Sequence, residues 1–329
     1  MMSLTIDDIK AAKQRIKGVA VKTPLLTNCY LNELLDAKVY IKLENLQQIG
    51  AFKFRGAYNR LCQLNEEEKK RGVVAFSSGN HAQGIALAAK MLNMKATIVM
   101  PSDAPKLKLE GTLRLGAKVV EYDRSTESRE DIAAGIAKSF GSILVPAFED
   151  YSIMAGQGTI GIEVVNQLGA KKKQLDAYLA PAGGGGLLAG TSVAIRSLIP
   201  GAKVYGVEQE GYDDHALSRK AGRRIKIKPK KSTMCDALMA TTPGKMTWSI
   251  NSKTVTDFLV VNEDEIAHAV AFAFLRLKVV VEPGGAVALA SLLEKKIEFV
   301  GKTIVIVLSG GNIDSNTFRY CLEKFPNPM

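Results

Sequence analysis

A chain of 329 residues, 47% of them hydrophobic, exceeds an ordinary domain of roughly 100–200 residues and can fill a sizeable core, so two lobes sharing a cleft are expected. The formal charge of +11 comes from lysines and arginines mostly interspersed with acids, and the one dense basic block, residues 220–231, reads as a solvated loop, which argues against nucleic acid as a partner. No long uncharged apolar run and no leader-like N-terminus occurs, and Cys29, Cys62, Cys235 and Cys321 show no metal-ligand spacing, which leaves a cytoplasmic protein without membrane segments, zinc or disulfides as the expectation.

β-Branched runs at 39–43, 73–77, 96–100, 118–122, 142–145, 177–180, 204–207, 258–261 and 304–308 read as strands. Helical patterns at 81–92, 128–139, 153–168, 187–198, 265–278 and 286–295 separate most of them. Strand and helix alternating in this way predict an α/β fold of open, mostly parallel sheets flanked by helices, and the length fits two such sheets in interleaved lobes. In open sheets of this kind a ligand lies at the carboxyl ends of the strands. Glycine-rich turns collect there: Ser78-Gly79-Asn80-His81 after residue 77, Gly183 to Gly186 after residue 180, and Ser309-Gly310-Gly311-Asn312 after residue 308.

Lys53 lies in Gly50-Ala51-Phe52-Lys53-Phe54-Arg55-Gly56-Ala57, among apolar neighbours and beside a second cation. Both surroundings make an amine harder to keep protonated, which prepares it as a nucleophile. A lone lysine here would also suit the start of an amphipathic helix, so its company decides. Four glycines between a strand and the helix starting near Leu187 leave backbone N–H groups free at a positive helix end, which suits a phosphate. No Gly-Lys-Ser/Thr follows, so this is not a P-loop. Ser77 to His81 opens a helix where hydroxyls and N–H groups can hold a carboxylate.

Together, the Lys53 segment, Ser-Ser-Gly-Asn-His, the four glycines and Ser-Gly-Gly-Asn resemble the fold-type II pyridoxal-phosphate enzymes of the serine/threonine dehydratase and serine racemase family. The resemblance extends from Thr23-Pro24-Leu25 and Lys42-Leu43-Glu44-Asn45 through Ala155-Gly156-Gln157-Gly158-Thr159 to Glu282-Pro283-Gly284-Gly285-Ala286. It implies Lys53 as the lysine that binds pyridoxal 5'-phosphate, Phe52 and Asn80 beside the ring, Gly183, Gly184, Gly185 and Gly186 with Leu187 as the phosphate cup, and Ser309 at the pyridine nitrogen. It further implies a large cofactor lobe of residues 1–47 with 147–329, a small lobe of residues 48–146, no C-terminal regulatory domain, and a homo-oligomer, dimer or tetramer. The family usually has serine before Phe-Lys; Ala51 here removes any hydrogen bond made through that hydroxyl.

The implied reaction is loss of water from an L-β-hydroxy amino acid such as L-threonine or L-serine, giving a 2-oxo acid and ammonia, with Lys53 as nucleophile and Cα base. A neutral hydroxyl at Ser309 stabilises a carbanion less than a carboxylate would, which favours elimination. Serine racemase and 3-hydroxyaspartate ammonia-lyase are the alternatives on the same scaffold, with Ser78 as the base on the second face. A nicotinamide-dependent dehydrogenase would leave Lys53 and Ser309 idle. The substrate site is expected at Ser77, Ser78, Asn80 and His81, with Arg129 either reaching a substrate side chain or forming a surface ion pair. The acidic loop Glu208 to Asp214 resembles the divalent-cation loop of racemase-like members, which implies Mg, Mn or Ca held by Glu208, Asp214 and the Tyr212 carbonyl.

Overall fold

Runs of valine and isoleucine with helices on either side dictate strands buried on both faces, and a computed structural model of the chain has this form. It describes residues 3–77, 79–104, 106–229 and 232–328. The strands among them are β1 (Leu25–Thr27), β2 (Lys38–Leu43), β3 (Val73–Phe76), β4 (Ala96–Pro101), β5 (Lys118–Tyr122), β6 (Ile143–Leu144), β7 (Leu175–Pro181), β8 (Lys203–Gln209), β9 (Asp257–Val261) and β10 (Thr303–Leu308). They form a six-stranded sheet in the order β1-β2-β10-β7-β8-β9 and a four-stranded sheet in the order β5-β4-β3-β6. Every pairing is parallel except that of β1 with β2.

The larger sheet takes its strands from both ends of the chain and the smaller one takes all of its strands from the stretch between. Central β10 is buried at all six positions, as a strand covered on both faces must be. The helix Pro283–Leu293 beneath it is apolar all round and buried through residue 292. Two helix starts precede their expected places because a side chain caps them. Asp150 accepts from the backbone N–H of Ser152 and Ile153, starting the helix at Tyr151, and Asn262 forms a capping box with Glu265, starting the next at Glu263. The edge strand β1 has only three residues, too few for a periodic signal, and the expected strand at 142–145 shortens to two paired residues. No helix among the described residues is long and apolar enough to cross a membrane.

Candidate active site

The helix Lys53–Leu61 places Lys53, and three restraints place the helix. Its glycine at 56 lies against Gly156 of the helix Tyr151–Leu168, so close that a Cβ on Gly156 would stand 2.5 Å from the Gly56 Cα. Arg55, fully buried, donates to Glu44 at 2.7 and 2.8 Å and to Glu163 at 2.7 and 2.9 Å. The turn ahead of it is stitched to the loop after β10: Ala51 bridges Gly310, the Phe52 N–H donates to the Ser309 carbonyl, and Asn312 Nδ2 donates to the carbonyl of Ile49. Ile49 is held there at φ 60°, a left-handed conformation that costs a β-branched residue energy and persists only where its surroundings impose it.

These restraints bring Lys53 Nζ to 3.2 Å from the Ala147 carbonyl and 5.2 Å from the Phe52 ring centroid. Burial lowers its pKa to about 8, with Glu282 opposing the shift. The expectation that Arg55 acts as a destabilising second cation needs correction. Its guanidinium turns away into Glu44 and Glu163, and desolvation does the work at Lys53.

The four-glycine turn joins β7 to the helix Gly186–Leu198, whose N-cap, Gly185, offers no side chain to the free N–H groups. Three successive carbonyls of this turn are tied back: Gly183 to His215 Nε2 at 3.1 Å, Gly184 to the Thr247 hydroxyl at 2.7 Å and Gly185 to Asn251 Nδ2 at 3.2 Å. A carbonyl held on one side turns the following N–H to the other, so the turn presents consecutive donors at a helix N-terminus, the arrangement that binds phosphate. Gly185 has φ +89°, and a Cβ there would meet Asn251 and His215 within 3 Å. No other residue fits without displacing that backing.

A cavity of about 720 Å³ opens between the carboxyl ends of the two sheets. Phe52, Lys53, Ser77, Asn80, His81, Arg129, Gly183, Gly184, Gly185, Gly186, Leu187 and Ser309 all line it, so sites far apart in the chain meet as expected. Ser78 lies outside the described residues. His81 is buried, its Nε2 is 3.2 Å from the Val145 carbonyl, and burial lowers its pKa to about 3, so it is neutral near pH 7. Arg129 forms the expected ion pair, its Nε 2.9 Å from Glu130, while its guanidinium stacks 5.2 Å over Phe76 and lines the cavity.

Among the cavity residues to which the sequence assigned no role are Lys108, Asp236 and Glu282. Glu282 carried a signal, an acidic residue directly before the proline that opens a helix. Lys108 and Asp236 carried none, because they acquire meaning only by meeting across the fold.

Glu208, near the end of β8, accepts from the backbone N–H of His215 at 2.9 Å and Ala216 at 2.8 Å. Beside it, the fully buried Asp214 has no hydrogen-bond partner at either carboxylate oxygen. Burial and the charge of Asp214 push Glu208 well above the usual carboxylate range, and burial pushes Asp214 up to about 7 against an opposing interaction with Glu208. Two buried carboxylates, of which Asp214 has both oxygens unpartnered, fit a hard divalent cation. Among the described residues no third His, Cys, Asp or Glu joins them, so further ligands would be carbonyls or water. The pair lies outside the cavity lining.

A buried amine of lowered basicity, a turn with the geometry that suits a phosphate and a neutral hydroxyl at Ser309 converge at the carboxyl ends of parallel strands, and they fit pyridoxal phosphate. Fold and site together define the class, a fold-type II enzyme. The chain belongs to the family described as "Pyridoxal-phosphate dependent enzyme", whose sequence profile matches residues 16–310. Among similar proteins, an L-threo-3-hydroxyaspartate ammonia-lyase of Saccharomyces cerevisiae is 45% identical over 97% of this chain and 96% of its own. An L-threonine ammonia-lyase of Thermotoga maritima is 42% identical over 98% of this chain and 79% of its own. The solved structure of maize serine racemase superposes with a TM-score of 0.91 at 34% identity, covering 99% of this chain and 98% of the other.

Proposed function

We propose that this protein is a pyridoxal-phosphate-dependent ammonia-lyase that removes water from an L-β-hydroxy amino acid, giving a 2-oxo acid and ammonia, with L-threo-3-hydroxyaspartate favoured over L-serine and L-threonine. The observation that carries the preference is Arg129 at the mouth of the Lys53 cavity, close to the turn that starts at Ser77. A planar guanidinium pairs bidentately with a carboxylate, so it suits a substrate that carries a second one. The relatives named for hydroxyaspartate and threonine support the reaction type.

When bound, the cofactor supplies an electron sink next to the substrate Cα. Lys53 Nζ would hold the cofactor and, once released, take the Cα proton, and a pKa near 8 leaves a useful fraction of neutral amine at neutral pH. The N–H groups of Gly184 to Gly186 would hold the phosphate and the Ser309 hydroxyl would face the ring nitrogen. Ser77 and Asn80 would orient the substrate α-carboxylate, and the segment 48–146 would close over it as a small lobe. Ser78 keeps its assignment as a second-face base through the resemblance alone. Glu208, Asp214 and the Tyr212 carbonyl would hold Mg, Mn or Ca behind the phosphate cup, because Glu208 organises the turn that carries His215.

The test is 2-oxo acid release from L-serine, L-threonine and both 3-hydroxyaspartate diastereomers, with serine racemisation measured alongside. Arg129→Lys should lower kcat/KM for hydroxyaspartate by about ten- to a hundredfold, the equivalent of a charged hydrogen bond of ~1.5–3 kcal/mol, and leave L-serine turnover within roughly threefold. Equal losses for both substrates would return Arg129 to its pairing with Glu130 and leave L-threonine and L-serine as the substrates.

A further inference from the structure

The helix Lys106–Arg114 packs in the layer of the smaller sheet, yet the side chain of Lys108 ends against residues of the larger one. Its Nζ donates to Asp236 Oδ2 at 2.5 Å and stands 3.7 Å from Glu282 Oε2, with its side chain 3% exposed. A cation buried this deeply is stable only when paired, and both partners come from across the cleft. On the way there the lysine stem passes under the substrate turn: a Cβ on Gly79 would meet Lys108 Cδ at 2.9 Å. The far end of that turn is tied to the same acid, because Asn80 Nδ2 donates to Glu282 Oε1 at 2.5 Å while Asn80 Oδ1 accepts from Asn312 Nδ2 at 2.8 Å.

The carboxylate-binding turn therefore rests on a lysine from its own side of the cleft and is held by a carboxylate from the other. We propose that Lys108 is a positioning residue: its ion pair with Asp236 spans the cleft and fixes Gly79 and Asn80 in the geometry that receives the substrate α-carboxylate. The Lys108 Nζ is engaged by Asp236, so the lysine acts through the turn it supports. Asp236 opens the short helical turn Asp236–Leu238, and Ala237 and Leu238 after it line the cavity, so the same ion pair also fixes the opposite wall. The effect belongs mainly to substrate binding, since the Lys53 amine is positioned independently by the helix Lys53–Leu61.

This inference rests on the proposed reading of the cleft as the site of β-hydroxy amino acid turnover, and the experiment separates the two. In the holoenzyme, Lys108→Met should raise KM for L-serine and hydroxyaspartate at least about tenfold while kcat changes less than about threefold and the visible cofactor band is retained. Asp236→Asn, at a residue 30% exposed in its side chain and so tolerant of change, should do the same, and the double variant should be no worse than the weaker single one. Hydrogen exchange of the peptide spanning residues 77–83 should quicken in both single variants with the helix Ile6–Arg15, which contacts neither Lys108 nor Asp236, unchanged. A role in stability alone would lower Tm without splitting KM from kcat. Unchanged KM and unchanged exchange in Asp236→Asn, or strictly additive effects of the two substitutions, would overturn the proposal. If wild-type protein turns over none of the substrates, the functional reading falls, and the exchange measurement, which needs no substrate, still decides the role of Lys108.

Discussion

Two groups of buried charge in this fold are built on opposite terms. In the first, Lys42, Glu44, Arg55 and Glu163 form two cations and two anions bonded to one another and to neighbours such as Thr23. In the second, Glu208 and Asp214 are two buried carboxyl groups with no ion-pair partner among the described residues, and neither Asp214 carboxylate oxygen has a hydrogen-bond partner. Burying charge is costly unless it is paired, so the first group is complete as folded, whereas the second either holds its protons or would be completed by a cation. The difference separates scaffold from site. The closed cluster sits where the chain passes between sheets, joining β2, the helix that begins at Lys53 and the helix Tyr151–Leu168. Lys53 and Asp214 have no ion-pair partner among the described residues, which is the condition that suits a ligand.

Lys53→Ala is the most severe test of this contrast. An open charge removed from a cavity should cost chemistry and little stability: turnover is expected to fall by at least about 10⁴-fold, which is about 5.5 kcal/mol in the barrier, with Tm nearly unchanged. Retained dehydratase activity would put the reaction elsewhere.

Glu163→Gln attacks the closed cluster and should do the reverse. It leaves an unbalanced cation between Lys42 and Arg55, for which a destabilisation of ~3–5 kcal/mol is expected by chemical denaturation. A loss below about 1 kcal/mol would mean that the cluster is not the closed unit described.

Chelation tests the open pair. An ion held a hundredfold above its Kd stabilises by about 2.7 kcal/mol, so exhaustive chelator dialysis should lower Tm, and Mg²⁺, Mn²⁺ or Ca²⁺ should restore it. The sign with pH follows from Asp214, raised from 3.8 to about 7 in the fold. Without an ion, the stability that comes from the protonated pair is present below pH ~4 and is lost as pH rises through about 7. The chelated protein should therefore lose Tm across that window and the ion-loaded protein should not. Identical profiles would remove the cation.

The smallest effect is expected at Lys70, whose pair with Glu67 is exposed on both sides: Lys70→Ala should leave Tm unchanged within error. A clear drop would show that exposure is a poor guide to which charges matter here.

Much of this contrast was legible in the chain because it is local. Strand β5 falls on its expected residues, and Lys53, the four glycines and Ser309 face one cavity because each stands directly at a strand end or helix start, where sequence signals are strongest. The partners that complete those sites were not legible. Glu163 meets Lys42 across 121 positions and Asp236 meets Lys108 across 128, and no periodicity reports a contact of that span. For the same reason the apolar neighbourhood of Lys53 pointed to lowered basicity, while the direction in which Arg55 turns required the fold.

The strand order of the larger sheet has a consequence for how the molecule is made. β2 pairs with β10, and β10 separates it from β7, so a strand from residues 38–43 waits for one at residues 303–308. During synthesis the smaller sheet can assemble once residue 144 has emerged, whereas the early strand stays without its neighbour until almost the whole chain has been translated. Such distant pairing slows folding and leaves apolar edges open to aggregation in the interval. Ser309, next after β10, is among the last cavity residues to leave the ribosome. A nascent chain interrupted before residue 303 carries Lys53 and the glycine turn but not the strand that lies between them in the fold.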